Sequence, residues 1–195
     1  MNDQSASLKR PLIVGIGGTT RAGSSCERLV AAVLAAAAEL GADTRLFDGA
    51  ALAALPHYAP DHPGRTPGQL ALVDAVRQAD GMVIGSPSYH GGVSGLVKNA
   101  VDLLDDLRMD ARTYLDGRAV GLVVVAAGWQ AGGVTLTGLR GTIHALRGWP
   151  TPLGISVNNM AQKPFDADGM LVDADILTQV KAQAVQLMRF ARPAA

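Results

Sequence analysis

The sequence predicts an α/β fold with a doubly wound, five-stranded parallel sheet and helices on both faces. Two observations predict it: apolar runs alternate five times with stretches of helical periodicity, and three glycine-rich loops each follow an apolar run. Parallel strands need long crossover connections, which the intervening helices supply. Ligands of such sheets bind outside the carboxyl ends of the strands, so the three loops are the expected place for chemistry.

The first half of the chain carries three predicted strands and two predicted helices. Short apolar runs predict strands over residues 11–17, 43–48 and 81–85. The second of these runs is the most amphipathic, which favours a place near the edge of the sheet. Apolar side chains at helical spacing predict helices over 24–40, which Gly41 ends, and over 69–79. Proline, histidine and glycine predict a loop over 54–68.

The second half of the chain repeats this alternation. Two further apolar runs predict strands over residues 119–126 and 152–157. Helical spacing predicts helices over 96–107, from 134 to about 146 and, with Asp173 as N-cap, over 173–191. Glycine-rich loops are predicted over 86–95 and 127–133, and an irregular segment over 158–172.

Length and composition favour a single domain. The 195 residues, 48% of them hydrophobic, are enough for one compact core but too few for two ordinary domains. We predict a flexible N-terminal segment over residues 1–10 and one domain over 11–195. Lysine plus arginine total 17, and so do aspartate plus glutamate. This balance argues against nucleic-acid partners and against attachment to an anionic membrane surface.

The location of the protein and its metal chemistry are predicted from what the sequence lacks. Cys26 is the only cysteine, so no disulfide can form within the chain. The first ten residues lack the basic and apolar stretches of a signal peptide, and no apolar run is long enough to span a bilayer. Histidine and cysteine do not occur at metal-binding spacings. We therefore expect a cytoplasmic protein without a metal site.

The first glycine-rich loop, residues 17–27, has the chemistry of a site for one phosphate group. Its glycines let backbone N–H groups converge on an anion, and the helix that follows adds its positive end. Hydroxyl and guanidinium donors come from Thr19, Arg21, Ser24 and Ser25. The alternative is purely structural, because Ser24 and Glu27 have the spacing of a capping box that opens the helix.

Two nucleotide-binding motifs fail at this loop. A P-loop needs a lysine where Ser24 stands, and without it the outer phosphates of a nucleotide lose their main partner. A dinucleotide fingerprint needs a third glycine where Thr20 stands. Asp48, at the end of the second predicted strand, would be the ribose-binding acid of a dinucleotide fold. The missing glycine argues against that role.

The second glycine-rich loop completes a resemblance to a known family. It contains Pro87-Ser88-Tyr89, Gly95, Lys98-Asn99-Ala100 and Asp102, and the first loop contains Gly18-Thr19-Thr20-Arg21-Ala22-Gly23-Ser24. In this order the two loops resemble the NAD(P)H-dependent FMN reductases of the flavodoxin-like fold. That family carries G-S-x-R-x-x-S after the first strand, and P-x-Y-x-x-S running into P-G-x-L-K-N-A-x-D after the third. The resemblance extends to the order of elements over nearly the whole chain.

The resemblance implies which residues hold FMN. The phosphate would bind at Thr19, Arg21, Ser24, Ser25 and Cys26. The ribityl chain and the ring edge would lie along Pro87, Ser88, Tyr89, His90 and Gly91, and the ring would border Gly128, Trp129, Gly132 and Gly133. Trp129 would either cover the site or pack at a subunit contact. Thr19, Cys26 and Gly92 depart from the family pattern, which has serine, asparagine and serine there.

The implied reaction is hydride transfer from NADH or NADPH to FMN. Because the two cofactors carry this chemistry and the loops show no acid–base pair, no catalytic side chain is expected. Arg140 and Arg147 are the candidates to meet the 2′-phosphate of NADPH, and His144 is expected to be structural. Reduced flavin would pass to a partner monooxygenase or another small-molecule electron acceptor. The resemblance also implies a homodimer or homotetramer.

Three alternatives stay open at this point. Bound FMN would serve equally in a dedicated quinone or azo reductase. A non-enzymatic electron carrier of the flavodoxin type is the main alternative outside enzymology, although such carriers are usually strongly acidic and this chain is neutral. The third alternative is a flavin-binding regulatory protein without turnover.

Overall fold

The computed structural model of the chain describes residues 9–62 and 64–191. Its strands are β1 (Leu12–Gly17), β2 (Asp43–Phe47), β3 (Gly81–Tyr89), β4 (Gly92–Val93), β5 (Ala119–Ala126) and β6 (Trp149–Asn158). Its α-helices are α1 (Ser25–Glu39), α2 (Gly49–Ala53), α3 (Pro67–Gln78), α4 (Gly95–Asp102), α5 (Trp129–Ala145) and α6 (Ala174–Phe190). A 3-10 helix, Leu103–Leu107, follows α4 directly.

Five parallel strands form the central sheet in the order β2-β1-β3-β5-β6, and the short β4 pairs antiparallel with the end of β3. This order confirms the predicted five-stranded parallel sheet and the predicted edge position of the second strand. The chain moves outward from β1 to β2 and then crosses back to β3, so the strand order reverses between β1 and β3. A reversal of this kind opens a crevice at the carboxyl ends of the two strands.

Alternate residues of the central strands face opposite layers of helices. In β1, Ile13 packs into the core formed with α1 and α6, whereas Val14 packs into the core that α3, α4 and α5 cover. Val83 and Met82 of β3 divide between the two cores in the same way. Strands that are buried on both faces explain the continuous apolar runs in the sequence. The doubly wound arrangement is therefore confirmed.

The predicted loop over 86–95 is wrong in its first half. β3 continues as far as Tyr89, and its pairing with β5 reaches Pro87 opposite Val125. A two-residue turn, His90-Gly91, then leads into β4, and both of its residues have positive φ angles, 54° and 77°. Positive φ at both central positions is the requirement of a type I′ turn, one of the two common two-residue β-hairpin turns. Because this stretch carries polar side chains, the hydrophobic pattern did not predict that it belongs to the strand.

The predicted loop over 127–133 is also too long, because α5 begins at Trp129 with Gly128 as its N-cap. Gly132 packs so closely on β6 that a Cβ atom there would lie 2.5 Å from the Ser156 hydroxyl oxygen. A glycine at this point lets the helix approach the sheet. The short helix α2 was not predicted; Asp48 caps it by accepting a hydrogen bond from the Ala51 N–H at 2.8 Å.

The N-terminal segment predicted over 1–10 lies mostly outside the described residues, which begin at Lys9. Arg10 donates hydrogen bonds to the carbonyls of Gly41 and Ala42, at 3.0 and 2.9 Å. The chain is thus anchored to the sheet edge from Arg10 onward. Among the helices in 9–62 and 64–191, none combines the length and apolar character that a bilayer crossing requires.

Candidate functional site

A cavity of about 420 Å³ opens at the carboxyl ends of the strands, where the sequence analysis places the chemistry. The loops after β1, β3, β5 and β6 form its walls. It is lined by Thr19, Thr20, Arg21, Ser24, Ser25, Cys26, Pro87, Ser88, Tyr89, Val125, Ala126, Ala127 and Asn159. Eight of the fourteen predicted site residues are therefore brought together in one place.

The β1 loop meets the cavity through the beginning of α1. Ser24 is the N-cap of this 15-residue helix, and its hydroxyl accepts a hydrogen bond from the Glu27 N–H at 3.3 Å. The first N–H groups of a helix lack intrahelical acceptors and carry its positive end, so this wall favours an anion. Ser24 therefore caps α1, as the structural alternative predicts, and this role is compatible with anion binding at the same helix end.

The loop itself has a defined local geometry. The Thr19 hydroxyl accepts from the Arg21 N–H at 3.1 Å and donates to the Arg21 carbonyl at 3.2 Å. Arg21 is exposed and contributes a guanidinium to the cavity wall. The lining includes no aspartate or glutamate. The charge of this cavity therefore suits an anionic ligand.

Cys26 lines the cavity, but its surroundings make its thiol unreactive. It is only 2% exposed, and a Cβ atom on Gly85 would lie 3.1 Å from its sulfur. Burial raises the pKa of the Cys26 thiol from 9.0 to about 12, mainly because the thiolate would be desolvated. The thiol is therefore neutral at physiological pH and unsuited to act as a nucleophile or a redox centre.

The end of β3 supplies the opposite wall. Pro87, Ser88 and Tyr89 line the cavity, and Tyr89 is 56% exposed. The Ser88 hydroxyl lies 2.7 Å from the Thr135 hydroxyl and donates to the Ala131 carbonyl at 3.1 Å, which ties β3 to α5. These two bonds engage the Ser88 side chain, so it holds this wall in place.

Six predicted site residues lie outside the lining: His90, Gly91, Gly128, Trp129, Gly132 and Gly133. The exposed His90 and the half-buried Gly91 form the turn beyond Tyr89, and Trp129 lies 59% exposed on the first turn of α5. Gly132 is a correction, because it is buried and its N–H already donates to the Gly128 carbonyl at 3.1 Å. Its backbone cannot reach a ligand while α5 keeps this first turn.

The comparison with family models decides the family. A model described as NADPH-dependent FMN reductase matches residues 11–162, which include the whole β1 loop, the β3 hairpin and β6. The chain belongs to the NADPH-dependent FMN reductase family. The resemblance inferred from the two loop motifs is therefore confirmed.

Two relatives in this family share sequence with part of the chain. FMN-dependent NADPH-azoreductase from Staphylococcus haemolyticus is 33% identical over 114 residues, which cover 56% of this chain and 54% of that protein. The protein of the same name from Staphylococcus saprophyticus is 34% identical over 118 residues, which cover 57% of this chain and 55% of that protein. The chain thus spans about half the length of the curated relatives it matches.

Solved structures confirm the flavodoxin-like fold of this family member. An NAD(P)H:acceptor oxidoreductase flavoenzyme from Paracoccus denitrificans matches with a TM-score of 0.73 and 20% identity, over 93% of this chain and 99% of that one. A flavodoxin from Streptococcus pneumoniae matches with a TM-score of 0.61 and 11% identity, over 91% of this chain and 98% of that one. At such identities the likeness concerns the fold alone.

Five lining residues are not among the site residues predicted from the sequence: Thr20, Val125, Ala126, Ala127 and Asn159. Thr20 is an unspecified position inside the first motif, and Val125 and Ala126 are the last residues of a correctly predicted strand. Asn159 follows β6, and its N–H donates to the Ala126 carbonyl at 2.9 Å, which brings it over the end of β5. The rule that ligands bind at the carboxyl ends of strands covers all five, since each lies at the end of a strand or in the segment that follows one.

The two arginines and the histidine singled out in the sequence lie away from the cavity in this family member. Arg140 donates to the carbonyls of Thr151 and Pro152, both at 2.9 Å, and so stabilises β6. Arg147 follows the C-terminal end of α5, whereas the cavity lies near the beginning of that helix. His144, which was expected to be structural, is exposed on α5. None of these three side chains lines the cavity.

Proposed function

We propose that this chain binds FMN in the cavity at the carboxyl ends of the strands and uses it to oxidise NADPH or NADH. The observation that carries the proposal is the β1 loop. It brings the positive end of α1, hydroxyl-bearing residues and Arg21 to a cavity whose lining has no carboxylate. Membership in the NADPH-dependent FMN reductase family supports FMN as the ligand whose phosphate these groups hold.

The chain's own residues would bind and orient the cofactor. FMN supplies the chemistry when bound, because its ring accepts hydride from a nicotinamide and passes electrons to an acceptor. Thr19, Arg21 and Ser25 would hold the phosphate, while Pro87 and Tyr89 would border the rest of the cofactor. The neutral Cys26 thiol is the only cysteine and has no role in proton transfer at physiological pH. Positioning is therefore the protein's main contribution to the rate.

The relatives favour a particular hydride donor and a particular class of acceptor. Two are named FMN-dependent NADPH-azoreductases, which supports NADPH as the donor and azo compounds as a second candidate substrate beside free flavin. The exposed Tyr89 ring at the cavity offers a planar surface to such aromatic acceptors. Delivery of reduced flavin to a partner monooxygenase, a homo-oligomeric state and a cytoplasmic location remain predictions.

The proposal is tested by following NADPH and NADH oxidation by the purified chain with FMN, without FMN, and with an azo dye added. We expect oxidation that depends on FMN, and decolourisation of the dye only when both FMN and the nicotinamide are present. The matched variants are Arg21→Ala and Arg45→Ala, since Arg45 is an exposed arginine outside the cavity. Flavin binding without any nicotinamide oxidation would instead favour an electron carrier or a regulatory protein.

A further inference from the structure

Glu27 does not complete the capping box that its spacing with Ser24 predicts. The Ser24 hydroxyl accepts from the Glu27 N–H, which is the first half of the motif. The Glu27 carboxylate instead accepts a hydrogen bond from the Gly49 N–H at 3.1 Å, 22 positions along the chain. Gly49 is the first residue of α2, where a backbone N–H has no intrahelical acceptor. Glu27 therefore joins the start of α1 to the start of α2.

The residues joined by Glu27 pack directly against the β1 loop. A Cβ atom on Gly49 would lie 1.9 Å from the Thr19 carbonyl oxygen, so the two backbones are in van der Waals contact. A Cβ atom on Gly18 would lie 2.6 Å from the Gly49 nitrogen and 2.9 Å from the Glu27 Oε2 atom. The φ of Gly18 is 134°, a conformation that side-chain-bearing residues rarely adopt. The position of Gly49 therefore limits where the Thr19 backbone can lie.

We infer that Glu27 is a positioning residue for the cofactor phosphate, which it serves through Gly49 and Thr19 without lining the cavity itself. Holding Gly49 in place fixes the Thr19 backbone, and the two Thr19–Arg21 hydrogen bonds extend that constraint to Arg21. A loop that is already ordered in the free protein pays less conformational entropy when the phosphate binds. The inference rests on the proposed function, because the phosphate is that of FMN.

Two properties of the Glu27 side chain act in opposite directions on phosphate binding. The hydrogen-bond acceptor at its full length holds Gly49, whereas its negative charge lies close to a loop that would bind an anion and opposes that binding. Glu27→Gln keeps the acceptor and the length but removes the charge. Glu27→Asp keeps the charge but is one methylene shorter and withdraws from Gly49. The two variants therefore change opposite properties.

The first measurement is amide hydrogen exchange at Gly49 and Arg21 in the protein without flavin. We expect Glu27→Asp to speed exchange at both amides by about tenfold or more, since a hydrogen bond to a charged group is lost. Glu27→Gln keeps a neutral acceptor at the same length, so its exchange rates should stay closer to wild type than those of Glu27→Asp. The matched control is Glu39→Asp, because Glu39 is an exposed glutamate in the last turn of the same helix.

The second measurement titrates FMN and riboflavin into the same four proteins. Glu27→Asp should weaken FMN by roughly 10- to 100-fold and leave riboflavin nearly unchanged, because riboflavin has no phosphate for the loop to hold. Glu27→Gln should bind FMN at least as tightly as wild type. A loss in Glu27→Gln equal to that in Glu27→Asp would overturn the inference, and so would unchanged exchange at Gly49 in Glu27→Asp. Failure of wild type to bind FMN would overturn the proposed function, while the exchange measurement would still test Glu27.

Discussion

The two ends of the cavity are built differently. At the β1 loop, backbones touch each other, and a single added carbon on Gly49 would lie 1.9 Å from the Thr19 carbonyl oxygen. At the α5 end, a Cβ atom on Gly128 would meet nothing within 4 Å, and the nearby Trp129 and Tyr89 rings are mostly exposed. One end is fixed by close packing, and the other end is open.

This difference matches the tasks expected of the two ends. A phosphate group is small and invariant, so a rigid loop with preset donors binds it at little entropic cost. A nicotinamide and an electron acceptor must enter and leave in turn, which an open mouth beside the exposed Tyr89 ring permits. Under the proposed function, the packed end would provide cofactor affinity and the open end would provide access. Substitutions at the packed end should have large effects, and those at the open end small ones.

The largest effect is expected from Gly49→Ala, which places a methyl group where the Thr19 carbonyl lies. Overpacking of this kind costs about 1–3 kcal/mol of folding free energy, and here the displaced group is the phosphate loop. We expect a lower melting temperature and no measurable FMN binding. Thermal melts and flavin titration of the variant provide the measurement.

Gly128→Ala is the matched substitution at the open end. Its φ of −167° is extended backbone that alanine adopts freely, and the space beside it is empty. We expect wild-type melting and wild-type FMN affinity. Equal losses in Gly49→Ala and Gly128→Ala would remove the distinction between the two ends.

Arg21→Ala should have the next largest effect. A charge-assisted hydrogen bond to phosphate stabilises a complex by ~1.5–3 kcal/mol, so FMN should bind roughly 10- to 150-fold more weakly. Riboflavin lacks the phosphate and should be almost unaffected. Parallel titration of both flavins tests this, with Arg45→Ala as the control. Equal losses for both ligands would mean that Arg21 stabilises the fold instead.

Cys26, at the start of α1, should make the free energy of unfolding fall at alkaline pH. The pKa of its thiol is about 12 in the folded protein and 9.0 as its ordinary value, so the folded state retains a proton that the unfolded state loses. The contribution of Cys26 to the free energy of unfolding should therefore be fully present below pH 9, and it should fall by about 1.4 kcal/mol per pH unit between pH 9 and 12. Denaturant titrations across this range should show a shallower slope in Cys26→Ala. The same slope in both proteins would contradict the assignment.

The smallest effect is expected from His90→Ala at the open end. His90 is exposed and lies outside the cavity lining, and the loss of a general acid or base would cost about 10²–10⁴ in rate. We expect flavin-dependent NADPH oxidation to stay within roughly tenfold of wild type at saturating FMN. A thousandfold loss with FMN affinity intact would show that a proton-transfer step depends on this histidine.

The residues of the β1 loop that line the cavity could be predicted from the sequence, because their signals are local. Glycines, hydroxyls and an arginine at fixed spacing before a helical stretch indicate an anion site without reference to distant residues. The sheet was equally predictable, since strands buried on both faces leave apolar runs. Boundaries failed where polar residues joined a strand through pairing, as Ser86 and Ser88 do in β3.

The parts that could not be predicted depend on contacts between distant segments. The strand-end rule places Asn159 at this edge of the sheet, but the hydrogen bond from its N–H to the Ala126 carbonyl depends on tertiary structure. Nothing near Glu27 shows that its carboxylate binds Gly49 rather than closing a capping box. Gly132 looked like a loop residue because glycine disfavours helices, but it lets α5 approach Ser156. Tertiary packing decided each of these.

The central claim, that the β1 loop holds the phosphate of FMN, is tested most directly by titrating the wild-type protein with FMN, riboflavin and FAD in parallel. Quenching of flavin fluorescence reports each affinity under identical conditions. The account predicts that FMN binds at least about tenfold more tightly than riboflavin, the ratio given by a charge-assisted hydrogen bond, and more tightly than FAD. Equal affinities for FMN and riboflavin, or tighter binding of FAD, would contradict it.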